Sequence, residues 1–377
     1  MPVNQLPEHL LRSLKEREEK GLLRKLKKNP PPIDFCSNDY LGFSKTGLLV
    51  DAMESSYVQQ DKSFGSTGSR LISGNSGEFE EAEKQIASFH HAQSALLFNS
   101  GYDANVGLLS SVPQKHDLVL YDELIHASIH DGIRLSFATS YKFKHNTIES
   151  LKELIGKHRK DYTNIYIVVE SVYSMDGDVA PLLEIVDLVQ QQENVFLIVD
   201  EAHAIGVFGK EGRGLCNELN VEKDCFARVY TYGKAMGCHG AAIVGNEKLR
   251  EYLINFSRSF IYTTALPLHS VKAILAAYKL LVQTSEQHKL QDNIAYFYSK
   301  AGYINGLIKS RSAIHSLLIG SNEKADALEK KLEKNNIYAK AIKSPTVKAG
   351  TERVRFCIHS FNTKNEIDSL ISVLKGF

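Results

Sequence analysis

Two short segments of this sequence set chemically capable side chains directly after apolar runs. The first is Val195-Phe-Leu-Ile-Val-Asp200-Glu-Ala-His203, a hydrophobic stretch that ends in a carboxylate with a histidine three residues on. A carboxylate taken out of water needs a cation or several donors. Asp200 is therefore either an N-cap or core ion-pair acid, or an acid that faces a protonated pyridine nitrogen. The second segment is Thr231-Tyr-Gly-Lys234-Ala-Met-Gly237. Lysine is almost never fully buried without a partner. Lys234, between an apolar run and glycines, is either a snorkelling surface residue or an amine poised to form a Schiff base. Each segment alone has the plainer reading. Together they supply the ring-nitrogen acid and the reactive lysine of a pyridoxal-phosphate site.

Such a cofactor also needs donors for its phosphate, which strand ends and helix N-termini provide. Asn99-Ser100-Gly101-Tyr102 follows one apolar run and precedes a helical pattern, with a glycine that permits close backbone approach. Gly65-Ser-Thr-Gly-Ser-Arg70 is a second anion-cradle candidate, although Gly/Ser loops are commonly only turns. His126, in Ile125-His-Ala-Ser128, is by itself an ordinary satisfied or exposed histidine, and its place shortly after Asp122 also suits a role over a planar ring. Neither GxGxxG nor GxxxxGK[ST] occurs, which argues against dinucleotide and P-loop nucleotide sites. There is no HExxH, and Asp200 with His203 is an incomplete ligand set, so no metal is expected.

The elements that must position these residues are legible as alternating strands and helices. Short apolar runs at 94–98, 117–121, 165–169, 195–199, 228–232 and 241–244 have strand length, and several are apolar on consecutive positions. That pattern suits central strands of a parallel sheet, buried on both faces. Helical segments at 147–157 and 181–192, and apolar spacing through Phe79, Ala82, Ile86 and Phe89, separate or precede them. The expected class is α/β, with a mostly parallel central sheet in a large domain at 46–283. An N-terminal helix and arm occupy 1–45, and a smaller α+β domain occupies 284–377. The first helix is read as amphipathic, carrying Leu11, Leu14, Leu22, Leu23 and Leu26 and ended by Pro30, Pro31 and Pro32. Ligands of open α/β sheets sit beyond the carboxyl ends of the strands, where Gly101, Asp122, Glu170, Asp200 and Lys234 fall.

A chain of 377 residues is long enough for this plan, and a net charge of +1 gives no global field toward nucleic acid or acidic membranes. Five scattered cysteines without a CxxC pair fit a reducing compartment. No uncharged stretch approaches the ~20 residues of a membrane span. The basic run at 15–28 is mixed with Glu16, Glu18 and Glu19, unlike a transit peptide. A cytoplasmic protein is expected.

Eight segments in order along nearly the whole chain resemble the α-oxoamine synthase family of fold-type-I pyridoxal-phosphate enzymes. They are Ser37-Asn-Asp-Tyr-Leu-Gly42, Gly65-Ser-Thr-Gly-Ser-Arg70, Ser100-Gly-Tyr-Asp-Ala-Asn105, His126-Ala-Ser128, Ser174-Met-Asp-Gly177, Asp200-Glu-Ala-His203, Thr231-Tyr-Gly-Lys234 and Arg353-Val-Arg355. The resemblance implies pyridoxal 5'-phosphate held covalently by Lys234, which also removes the amino acid's α-proton. It implies Asp200 on the ring nitrogen, His203 on the phenolate oxygen, His126 on the ring face and Ser174 near the ring. Gly101, Tyr102 and Thr231 would hold the phosphate, with Thr263 and Thr264 lent by the second copy of a homodimer that shares its active sites. Arg355 resembles the arginine that clamps the substrate carboxylate, and Asn38, Arg24 and Thr346 match substrate positions.

The activity so implied is condensation of an amino acid with an acyl-CoA or acyl-carrier-protein thioester, with loss of carbon dioxide. The Ser37-Asn-Asp-Tyr stretch resembles two branches, one joining alanine to a pimeloyl thioester on the way to biotin and one joining glycine to succinyl, and the Ser-Pro-Thr346 stretch favours the first. Branches joining glycine to succinyl or acetyl groups, or serine to palmitoyl, are the alternatives. A non-catalytic partner subunit of the kind that has lost the lysine is disfavoured by the presence of Lys234, Asp200 and His203. A fold-type-I aminotransferase is a further reading, distinguished by amino transfer to a 2-oxo acid.

Overall fold

The computed structural model describes residues 6–26, 28, 30–54 and 65–377. A short strand, β1 (Ile33–Asp34), belongs to the N-terminal arm. The next seven strands are β2 (Ser94–Phe98), β3 (Leu118–Asp122), β4 (Thr139–Phe143), β5 (Ile165–Glu170), β6 (Val195–Asp200), β7 (Cys225–Thr231) and β8 (Ala241–Gly245). They form one sheet in the order β2-β8-β7-β6-β5-β3-β4. The β7–β6, β6–β5, β5–β3 and β3–β4 pairs are parallel, while β8 runs antiparallel to both of its neighbours.

Successive residues of these strands feed two different cores, which is why the runs are apolar at every position. Leu118, Leu120, Ile167, Val169, Leu197 and Val199 enter one core, together with Ile86, Leu182 and Ile274 from helices on that face. Val119, Val168, Ile198 and Val229 enter the other, against Ala104, Leu108, Ile129 and Ile133 of helices Gly101–Ser111 and Ala127–Leu135. Strand β4 escapes the sequence pattern because it is the edge strand, with Tyr141 and Lys142 exposed.

The C-terminal part contains β9 (Ile314–Leu318), β10 (Ile337–Tyr338), β11 (Lys340–Ile342) and β12 (Arg353–Cys357). Three of these make an antiparallel sheet in the order β11-β12-β9, packed with helix Asn322–Lys334, against which helix Lys364–Lys375 lies. β1 pairs in parallel with β10, and Cys357 N donates to Phe35 O at 2.8 Å, so the arm is tied to this sheet. One hydrophobic cluster runs from Phe35 through the large sheet to Leu374.

The first helix corrects the sequence reading. It spans Glu8–Glu19, and Gly21, at φ +63°, turns the chain while Gly21 N and Leu22 N bond Glu18 O and Arg17 O. A left-handed glycine ends a helix more cheaply than the later prolines. Leu22, Leu23 and Leu26 therefore lie beyond the helix, and the helix buries no residue within its own chain. Lys27 in the basic run lies outside the described residues.

A half-buried ion cluster fastens the carboxyl side of the sheet. His145 Nδ1 lies 2.9 Å from Asp122 Oδ1 and its Nε2 lies 2.7 Å from Asp178 Oδ2. Against the cost of burial, these two carboxylates raise its pKa to about 10. The folded value exceeds the ordinary ~6.5, so the cluster stabilises fully below that pH and its contribution is lost as pH rises through about 10. His145→Gln leaves buried Asp122 and half-buried Asp178 without a cation, and a loss of about 3 kcal/mol is expected at pH 7. Urea unfolding checks this. The gap between the two proteins should shrink toward pH 10, and a pH-independent gap would show that the charge is not its source.

Candidate active site

Four strand ends and two helix N-termini converge on a cavity of about 270 Å³. Its wall includes Asn38, Ser100, Gly101, Tyr102, His126, Glu170, Asp200, His203, Thr231 and Lys234. Of the residues singled out in the sequence, Lys234, Asp200, His203, His126, Gly101, Tyr102, Thr231 and Asn38 thus meet in one place. They are brought there by the common direction of β2, β5, β6 and β7, whose carboxyl ends share one side of the sheet.

Asp200 closes β6, and each of its carboxylate oxygens accepts a hydrogen bond. Asn105 Nδ2 donates to Oδ2 at 2.7 Å, and Ala202 N donates to Oδ1 at 2.9 Å. Asn105 also donates to Ser128 Oγ at 3.0 Å, and Ser128 meets His126 Nδ1 through Oγ at 2.8 Å and through its backbone N–H at 3.2 Å. His126 is the N-cap of helix Ala127–Leu135. Since Nδ1 accepts the Ser128 N–H, the ring proton sits on Nε2. Burial and the Lys234 charge lower the His126 pKa while Asp200 opposes them, so the imidazole is neutral near pH 7.

His203 is buried, with Nδ1 2.7 Å from the Tyr40 hydroxyl. Burial first, then the charges of Lys234 and Arg355, push its pKa well below the ordinary range. Burial lowers the Lys234 pKa as well, opposed by Asp200 and Glu170. Among the described residues the Lys234 amine has no hydrogen-bond or ion-pair partner. Such an amine is desolvated and uncommitted, the state that favours nucleophilic and base chemistry.

The small sheet is tied to this wall through Arg355 of β12, which stands outside the wall and bonds Asn38 within it. Arg353 and Arg355 stand on one face of the strand. Arg353 pairs with Asp176, while Arg355 donates from Nε to Ser174 O at 2.8 Å and from Nη2 to Asn38 Oδ1 at 2.9 Å. The Ser174–Gly177 turn is pinned to the same sheet by Ser316 Oγ on Met175 O at 2.6 Å and Ser310 Oγ on Gly177 O at 2.7 Å. Gly177 has φ +73°, and a Cβ there would lie 2.2 Å from Ile314 O, so no other residue fits.

At the other wall, the first amides of helix Gly101–Ser111 lack intrahelical acceptors. The Ser100 hydroxyl takes that of Asp103 at 3.1 Å, leaving those of Gly101 and Tyr102 at the cavity wall. Asn99 Nδ2 binds Thr263 Oγ1 at 2.9 Å and Thr264 O at 2.8 Å.

Other sequence candidates stand outside the cavity wall. Ser174 contributes its carbonyl to Arg355, Thr263 and Thr264 lie behind Asn99, and Arg24 and Thr346 are exposed. The Arg24 and Thr346 segments are neighbours, since Lys343 Nζ donates to Gly21 O at 3.1 Å. Sequence reasoning gave Tyr40, Asn105 and Ser128 no site role, and placed Glu170 among the ligand-side strand ends without assigning it one. The first three lie inside quoted motif segments, and Glu170 sits at a strand end beside them, so strand-end position was the available signal.

A profile of the family described as Aminotransferase class I and II matches residues 30–374. An 8-amino-7-oxononanoate synthase of Emericella nidulans is 44% identical over 98% of this chain and 95% of that protein. A solved 8-amino-7-oxononanoate synthase from Francisella tularensis superposes with a TM-score of 0.77 at 33% identity, covering 91% of this chain and 97% of that one. A serine palmitoyltransferase from S. paucimobilis, solved with PLP and myriocin bound, has a TM-score of 0.88 at 25% identity, covering 98% and 96%.

Proposed function

The chain belongs to the aminotransferase class I and II family, on its α-oxoamine synthase branch, and from that premise we propose that it joins alanine to a pimeloyl thioester to give 8-amino-7-oxononanoate. In this reaction the α-carbon of alanine bonds the pimeloyl carbonyl carbon, the thiol leaves, and the alanine carboxylate departs as carbon dioxide. The observation that carries the reading is the 44% identity to an 8-amino-7-oxononanoate synthase, spread over 98% of the chain.

The residues present suit pyridoxal 5'-phosphate. An unpartnered lysine amine and a carboxylate fixed by two donors share the wall of one cavity with the free amides of a helix N-terminus. At Gly101 a Cβ would lie 2.3 Å from Thr231 Cγ2, so this wall closes tightly only around glycine. When bound, the cofactor supplies an electron sink for the pair left at the substrate α-carbon.

In this reading the chain's own residues do the rest. Lys234 holds the cofactor and, once displaced, takes the α-proton as base. Asp200, charged and held by Asn105 and Ala202 N, keeps the ring nitrogen protonated. Neutral His126 would lie against the ring, and His203 would hold the phenolate oxygen. The amides of Gly101 and Tyr102, with the Thr231 hydroxyl, hold the phosphate. Ser174, through its turn, sets the arginine that binds the substrate carboxylate. Arg24 and Thr346 are assigned to the substrate by their match to the family's substrate positions. A second copy of the chain brings Thr263 and Thr264 to its neighbour's phosphate; the first helix, which exposes Leu10, Leu11 and Leu14, supports such a homodimer.

Arg355 spends Nε and one Nη2 donor on Ser174 O and Asn38 Oδ1 and retains further donors for a carboxylate. A lysine cannot hold both anchors and the substrate. Arg355→Lys is expected to raise KM for the amino acid about 10- to 100-fold, with a smaller change in kcat. An unchanged KM would remove Arg355 from substrate binding.

The function is tested by thiol release from purified protein with pyridoxal 5'-phosphate. Alanine, glycine and serine are compared against pimeloyl-, succinyl-, acetyl- and palmitoyl-CoA and a pimeloyl carrier protein. Release with alanine and a pimeloyl thioester is expected. Preference for another pair would replace the substrates, and amino transfer to a 2-oxo acid without thiol release would overturn the reaction class.

A further inference from the structure

Glu170 is a buried acid that the proposed reaction leaves without a role. It is the last residue of β5 and pairs in register with Asp200, the last residue of the adjacent parallel strand β6. Paired positions on neighbouring strands project from the same face, about 5 Å apart. Both acids line the cavity, and Glu170 is 2% exposed. Their hydrogen bonding differs sharply. Both Asp200 oxygens receive donors, whereas Glu170 Oε1 is buried with no hydrogen-bond partner among the described residues.

Two carboxylates held side by side away from water do not both ionise. The one with donors on both oxygens keeps the charge, and the other keeps a proton. Burial first, then the charges of Asp200 and Asp122, raise the Glu170 pKa well above the ordinary carboxyl range. Lys234 and the backbone N–H of His126 act in the opposite direction.

We propose that Glu170 is a positioning residue of this site, a neutral carboxylic acid that limits the acid pair to one negative charge and presents a hydroxyl donor to whatever occupies the cavity. One negative charge suffices to keep a ring nitrogen protonated. A second would bind the Lys234 proton more tightly and oppose its work as a base. An orphaned buried oxygen costs stability in the empty cavity and gains a partner when an occupant with polar edges arrives. This role rests on the pyridoxal-phosphate reading for the occupant, but the protonation state does not.

Two measurements separate these claims. The cofactor-free protein at pH 7 is expected to show the infrared carbonyl stretch of a protonated carboxylic acid, absent from Glu170→Gln. A spectrum unchanged by that substitution overturns the proposal, whatever the cofactor proves to be. In the loaded protein, the proton affinity of the lysine–cofactor absorbance band should agree within about twofold between wild type and Glu170→Gln, because one neutral donor replaces another. A tenfold fall, one pKa unit, would mean that Glu170 is ionised there and would also overturn it. Glu170→Met, which has no donor, should bind pyridoxal 5'-phosphate about 3- to 10-fold more weakly, with Gln restoring the affinity. Equal affinity in all three removes the donor role. If even wild type develops no lysine–cofactor band, the cofactor reading fails while the infrared result still decides the protonation of Glu170.

Discussion

Lys234→Ala is expected to lower thiol release by about 10⁴-fold or more, the scale of removing a positioned base that is also a covalent anchor. The amine shares the cavity wall with Asp200, and among the described residues no other lysine lines it. Its lowered pKa follows from burial, so it gives up its proton more readily than a surface lysine. Because the amine has no partner among the described residues, its loss breaks no ion pair or hydrogen bond of the fold. The thermal midpoint should therefore stay close to wild type while activity vanishes. Lys234→Arg should be equally inactive, since a guanidinium keeps the charge but serves neither as base nor as anchor. The check pairs thiol release with the absorbance of protein-bound cofactor, whose lysine-dependent band should be missing from both variants. Activity within tenfold of wild type in either one would remove Lys234 from the chemistry.

Asp200→Asn carries the second large effect, an expected fall in turnover of about 10²- to 10³-fold, as for loss of one preorganised electrostatic partner. The substitution is nearly isosteric, but it removes the negative charge and turns one oxygen into a donor. That amide then faces either Asn105 Nδ2 or Ala202 N, both of which donate to Asp200. A buried donor facing a donor costs about 1–3 kcal/mol, so a lower thermal midpoint should accompany the loss of activity. The two consequences are separable by spectroscopy. If the charge is what matters, the absorbance of bound cofactor should respond to pH differently in Asp200→Asn, because the ring nitrogen is no longer held protonated. A variant that is less stable yet turns over at the wild-type rate would confine Asp200 to a structural role.

Six of the seven strands of the large sheet could be read directly, because burial on both faces demands apolar residues at consecutive positions. The same logic points to the residues just past their carboxyl ends, among them Asp200, Lys234 and Gly101. The edge strand β4 did not, since one exposed side lets Tyr141 and Lys142 replace apolar residues. The end of the first helix was misplaced for a local reason, as Gly21 closes it before the prolines are reached.

Residue type and position along the chain determined which groups are available: an acid and a lysine at neighbouring strand ends, histidines nearby, and arginines spaced to share one face of a strand. Tertiary structure alone decided what each group touches. Asn105 is 95 residues from Asp200 in sequence, Tyr40 is 163 from His203, and Asn38 is 317 from Arg355. Contacts over such separations leave no periodicity to read, because they depend on strand order and register rather than on neighbouring residues. The contrast between the two cavity acids has the same origin. Glu170 and Asp200 both end buried apolar strands, and only the placement of Asn105 and Ala202 N beside one of them determines which holds the charge and which holds the proton.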